Sequence, residues 1–149
     1  MREARIMSDL YDADILAWSE HQGELLRRIA SGERVNDADL DWPNIAEEIE
    51  SVGRSELRTV RSLLFQALVH MLKAEGWPLA REAPGWRGEA RGFRRQAAAE
   101  FAPSMRQRLD LDRIYRDAVH ALPDSLDGQP PEPVPQTCPV TLDQLLGDE

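Results

Sequence analysis

The feature that most limits how this chain can fold is an apolar stripe that starts at Trp42 and keeps its phase as far as Met71. Ile45, Ile49, Val52, Val60, Leu63, Leu64, Ala67, Leu68 and Met71 recur at steps of three and four, with Glu56 filling the phase between Val52 and Val60. Those steps stack side chains on one face of an α-helix. The stretch therefore predicts one helix ending near Gly76, ~50 Å long at 1.5 Å per residue. Gly53 lies within the stripe, and a helix-interior Gly costs about 1 kcal/mol relative to Ala, so a break there into two helices is the alternative. Asp41 is placed to cap the helix, with Pro43 in its first turn. Glu47 and Glu48 follow where the helix dipole favours acids, and Gly76-Trp77-Pro78 ends the element.

The rest of the chain reads as helix too. Tyr11, Ile15, Trp18, Gln22, Leu25, Leu26 and Ile29 form an earlier stripe in which Gln22 is the one polar member; Ser8 or Asp12 can cap it and Ser31-Gly32 stops it. Trp86, Ala90, Phe93, Ala97 and Phe101 form a third, weakened by Gly88 and Gly92. Pro103 opens a fourth helix with Met105, Leu109, Ile114, Tyr115, Ala118, Val119 and Leu122 inward. No convincing period-two segment occurs. The fold class is all-α, an antiparallel bundle of about four main helices over residues 8–122. Residues 123–149 change character: Gln129-Pro130-Pro131-Glu132-Pro133-Val134-Pro135 favours an extended arm, and Thr141-Leu142-Asp143-Gln144 has the form of a capping box before a short terminal helix. The arm is expected on its own bundle, with exchange onto a second chain as the alternative.

Charge narrows the partners. The chain has 149 residues and a net charge of -9. Residues 1–56 hold 14 acids and 6 bases, residues 57–116 hold 6 acids and 12 bases, and residues 117–149 hold 7 acids and no base. The basic middle makes Arg87, Arg91, Arg94 and Arg95 candidates for binding an anion. Net negative charge argues against nucleic acid, and the competing reading is that the acidic ends pack near the basic middle. Lys73 is the only lysine, and Arg suits fixed, forked pairing with carboxylates. A single cysteine, Cys138, excludes an internal disulfide and points to a reducing, cytoplasmic setting. No apolar run approaches the ~20 residues needed to span a bilayer, and the acids after Met7 argue against a signal peptide.

Four polar residues in or beside the apolar stripes are candidates for a polar core or site: Glu56, His70, Gln22 and Glu48. Carboxylates and His on facing helices are what di-metal bundles use, as Glu on two helices and Glu-x-x-His on two others. No Glu-x-x-His occurs here. Glu56 and His70 fall on the apolar side of the helical wheel but lie ~21 Å apart along it, so one chain cannot bring both to one metal. Glu56 on that side needs a cationic partner such as Arg54, Arg94 or Arg95. Cys138 has no His neighbour in sequence, and no Gly-rich phosphate loop precedes a Lys-Ser or Lys-Thr.

Several blocks carry a resemblance. Tyr11-Asp12-Ala13-Asp14 with Trp18, Gln22 and Leu25-Leu26-Arg27 opens it. Asn44-Ile45-Ala46-Glu47-Glu48-Ile49-Glu50-Ser51-Val52-Gly53-Arg54-Ser55-Glu56 is its most specific part, followed by His70-Met71-Leu72-Lys73, Trp86 with Gln96, Pro103-Ser104, Tyr115 with Ala118, and Cys138-Pro139-Val140-Thr141-Leu142. The order and content resemble the bacterial family called domain of unknown function family 29, whose signature reads N-L-x-E-E-I-E-S-L-G-R-S-E. The resemblance runs from about residue 8 to 146. Residues 1–7 lie outside it, which makes Met7 a candidate start, and Gly76-Trp77-Pro78 departs from the family's usual Tyr or Gln before proline. It implies an all-helical bundle and carries no reaction with it.

These readings favour a non-catalytic helical protein that works through a protein partner or through self-association as a homo-oligomer, with no cofactor and no membrane. The alternatives are a small metal-dependent or acid–base enzyme using Glu and His, and an anion or nucleic-acid binder using the Arg-rich helix.

Overall fold

The computed structural model describes residues 2–147, with side chains from residue 7; the last two positions of the expected C-terminal arm lie outside the described residues. The chain is all-helical. In order, α1 spans Arg2–Ala13, α2 Ile15–Ala30, α3 Trp42–Gly76, α4 Ala83–Glu100, α5 Leu111–His120 and α6 Leu142–Leu146. Short 3-10 segments cover Asp37–Asp39 and Pro103–Arg108. Contacts cluster into two compact units, residues 1–53 and 54–149. No helix among the described residues is long and apolar enough to cross a membrane.

The long helix runs unbroken through Gly53, where continued helical hydrogen bonding on both sides outweighs the intrinsic cost of one glycine. Two expected boundaries are corrected. The opening stripe is split between two helices, and the cap is neither Ser8 nor Asp12 but Asp14, whose carboxylate accepts from the Ala17 N–H at 3.0 Å. Its φ of -152° takes the chain out of helix for one residue. Three acids and a serine compete for the cap in this stretch, and only the one where the chain turns can use its side chain as one. The fourth helix also starts later than Pro103. A 3-10 segment intervenes, and α5 begins after Asp110, which accepts from the Arg113 N–H at 3.2 Å.

The first unit has a small core of Trp18, Leu25, Leu40 and Ile45, flanked by Leu10, Tyr11, Leu26 and Val35. The second has a larger one. Val60, Leu64, Leu68, Val69 and Leu72 of α3 meet Ala97, Met105, Ile114, Tyr115, Ala118 and Leu145. Val134, Cys138, Val140, Leu142 and Leu146 pack around that core, so residues after Pro123 contribute to it. Their polar anchors are specific. The Tyr115 hydroxyl donates to the Pro135 carbonyl, and α6 is held by the Thr141–Gln144 capping box, with bonds of 2.8 and 3.1 Å.

Candidate functional site

In the first unit, α1 and α3 lie side by side in the same direction: Asn44 Nδ2 reaches Ser8 Oγ at 3.5 Å and the Tyr11 hydroxyl donates to Glu48 Oε1 at 2.6 Å. The chain leaves helix at Asp14 and re-enters it as α2. Near the start of α3 it delivers two side chains into a buried polar network. Trp18 Nε1 donates to Asp41 Oδ2 at 3.0 Å, and Asn44 Nδ2 donates to the same oxygen at 2.8 Å. Gln22 donates through Nε2 to the Asp39 carbonyl at 3.1 Å and accepts the Asp41 N–H on Oε1 at 2.9 Å. Gln22 and Asp41 are buried. A buried carboxylate survives when its lone pairs are filled, and the N-terminus of α3 adds a favourable dipole. The Gln22 amide acts as a two-ended brace that holds the connection into α3.

This network accounts for two of the four polar candidates. Gln22 is its centre. Glu48 stands beside it, with Oε2 accepting from Ser51 Oγ at 3.3 Å. The Tyr11 hydroxyl is pushed up to about 12, first by its hydrogen bond to Glu48, then by burial and by the charges of Glu48, Glu47 and Asp12. Asn44, Glu48 and Ser51 thus use their polar groups in building the first unit.

The other two candidates stand apart from it. Glu56 is exposed, against the inward placement its phase predicts; helical phase names a face, and no buried pairing follows unless another element covers that turn. His70 is half-buried in the second unit, with Nδ1 2.7 Å from the Gln66 carbonyl, Nε2 2.7 Å from Glu89 Oε2 and its ring against Phe93 at 5.2 Å between centroids. Both ring nitrogens meet oxygen acceptors, an arrangement that ties α3 to α4. Among the described residues no group of three or more His, Cys, Asp or Glu is placed to hold a metal ion.

The Arg-rich helix divides as well. Arg87, Arg91 and Arg95 are exposed. Arg94 reaches the end of α6, donating to the carbonyls of Gln144 at 2.7 Å, Leu145 at 3.0 Å and Gly147 at 3.2 Å. A guanidinium satisfies the free carbonyls of a helix C-terminus and complements its dipole. Arg106 pairs with Asp143 at 2.9 Å, so part of the basic middle does meet the acidic tail. Trp86 and Phe93 are half-buried rather than enclosed. Cys138 is also half-buried, its thiol donating to the Val140 carbonyl at 3.3 Å; burial pushes its pKa up, the opposite of what a nucleophile needs.

What phase alone could not show is the surface left over. Ile15 and Leu16 open α2, and Ile49 and Val52 follow Ile45 on α3. Beyond Trp18 and Ile45, both helices carry apolar residues that are not enclosed. Ile15 is 49% exposed, Leu16 66%, Ile49 68% and Val52 64%. Ile49 and Val52 belong to the stripe expected to be buried, and this is a second correction to that expectation.

A helical protein of two cores, with hydrogen-bonded buried polar groups and several exposed apolar side chains, is the class these observations define. Residues 10–149 match the family described as Domain of unknown function DUF29, and the chain belongs to that family. It is also similar to a protein of Rhodospirillum rubrum, whose crystal structure is described as that of an alpha-helical protein of unknown function. The two share 32% sequence identity with a TM-score of 0.68, over 93% of this chain and 90% of the other. No similar protein was found among curated ones.

Proposed function

We propose that this chain is a non-catalytic cytoplasmic interaction protein, a helical bundle with a docked C-terminal arm, whose first unit receives a basic amphipathic helix of a partner protein. The observation that carries this reading is the exposure of Ile15 and Leu16 on α2 and of Ile49 and Val52 on α3, all within that unit. Two helices that present aligned apolar stripes form a groove for a third, whose anchors enter at i, i+3, i+4 and i+7. Charge selects the occupant. Residues 1–53 hold 13 acids and 5 bases, with no lysine, so a partner flanked by Arg or Lys is attracted. A second copy of the same face would set acid against acid.

A synthetic helical peptide with Leu on one face and Arg on the other is the probe, followed by fluorescence anisotropy. Saturable binding is expected, weakened at least about tenfold, or 1.4 kcal/mol, by Ile49→Asp with an unchanged melting temperature. The same peptide carrying Glu in place of Arg should not bind. Equal affinity of the wild type and Ile49→Asp, or no binding by either, overturns the reading. A dimer seen by sedimentation and dissolved by Ile49→Asp would replace the basic partner with a second copy.

A further inference from the structure

The second unit contains a cavity of about 570 Å³ at the C-terminal end of α3, apart from every candidate above. Three fixed points build it. Leu126 and Gln129 exchange backbone hydrogen bonds of 2.9 Å around Asp127 and Gly128, whose φ values of 50° and 78° are those of a tight turn with both central residues left-handed. Trp77 Nε1 donates to the Gln129 carbonyl at 2.9 Å, and the Glu132 N–H donates to the Gly76 carbonyl at 2.7 Å. A Cβ at Gly76 would stand 3.1 Å from Pro131 Cβ, so glycine there is what lets the arm lie this close. The walls are therefore held by backbone and indole contacts and do not depend on a ligand to form.

The lining has one consistent chemistry. Trp77 and Trp86 supply aromatic surface, Leu79 is 97% exposed beside them, and Glu82, Asp127 and Glu132 supply negative charge; among the described residues no Lys or Arg lines the cavity. Indole faces attract cations through their quadrupole. Lys73 Nζ already stands 5.9 Å from the centroid of the Trp86 ring, which shows that this ring takes a cation in this fold. The three carboxylates do not converge into a group able to hold a metal ion. Spread charge with aromatic and aliphatic walls suits a diffuse cation clothed in carbon, and the volume is in the range of small-molecule sites. We propose that this cavity binds a small organic cation, an alkylammonium or quaternary ammonium compound.

Calorimetric titration with choline tests it, with 3,3-dimethylbutan-1-ol as the neutral compound of the same shape. Choline should bind at one site per chain and the alcohol at least about tenfold more weakly, the upper part of the range for cation–π attraction. Asp127→Asn, which keeps a residue tolerant of the left-handed turn, and Glu132→Gln should each weaken choline severalfold at an unchanged melting temperature. Lys73→Met, by removing the resident cation over Trp86, should tighten it. Failure of choline to saturate, equal binding of the alcohol, or indifference to all three substitutions overturns the proposal. So does binding of a trimethyl-lysine peptide without any binding of choline, which would move the ligand from a free small molecule to a protein side chain.

Discussion

The two compact units bury their helix faces by different means. Residues 54–149 close on aliphatic side chains, and Val60, Leu64, Leu68, Tyr115 and Leu145 are almost wholly removed from water. Residues 1–53 enclose a much smaller apolar cluster and set Gln22 and Asp41 beside it, each hydrogen-bonded at both ends or by two donors. Both units are held by displaced water; the second adds polar contacts around its core, such as Tyr115 to Pro135, whereas the first sets a polar brace inside its core that works only in one register. The contrast teaches that an amphipathic stripe marks a face that can be buried, while coverage depends on how much chain returns to it. In the second unit the residues after Pro123 return to α3 and cover it; in the first, the stripes run past Trp18 and Ile45 into solvent.

The largest effect that could break this contrast is a cavity in the second core. Leu68→Ala should lower stability by about 2–5 kcal/mol, read from urea unfolding followed by circular dichroism. Ile49→Ala, a stripe residue of the same helix, should stay within about 0.5 kcal/mol because the side chain is exposed. Equal costs at the two positions would mean that Ile49 is covered in solution, and the difference between the units would vanish.

A smaller loss is expected in the polar brace. Gln22→Leu keeps the bulk of the side chain and strands the Asp41 N–H and the Asp39 carbonyl, which should cost about 1–3 kcal/mol. Hydrogen exchange measured by mass spectrometry should locate the loss in peptides from residues 15–45. A neutral or stabilising outcome would show that the first unit is held by its apolar side chains without help from the brace.

Helix identity was legible from periodicity because burial on one face leaves a three-and-four rhythm that glycine does not erase; α3 and α4 are the cases. Gln22 was legible for the same reason, as the polar residue out of place in a stripe. Local pattern marks Asp41 as a cap and nothing more, because its burial depends on Trp18 and Gln22 arriving from 19 to 23 residues away. Glu56, Ile49 and Val52 failed together: phase fixes direction around a helix and says nothing about what stands opposite. The cavity beside Trp77 is hidden from local pattern for a related reason, since its far wall comes from residues 126–132. The one available signal was Asp127-Gly128, a dipeptide that favours a tight reversal.

The smallest effect concerns the two tyrosines, one in each unit, and it separates their environments by pH. Both hydroxyls are raised, but for different first causes. Tyr11 is pushed up to about 12 chiefly by donating to Glu48, whereas Tyr115 is raised chiefly by burial. A phenol whose folded pKa exceeds its unfolded value near 10 holds its proton more tightly in the fold. For Tyr11 the contribution to stability is complete below about pH 10 and is lost as pH climbs through about 12; for Tyr115 it is likewise complete below about pH 10 and lost at higher pH. Absorbance at 295 nm should therefore show little phenolate near pH 10 while the helical dichroism persists. Glu48→Gln keeps an acceptor for Tyr11 but removes the charge, so one tyrosine should ionise earlier and the other should not move. If both shift together, the two units respond as one to a change made in the first; if neither shifts, the Tyr11–Glu48 contact does not persist in solution, and α1 lacks the anchor assigned to it.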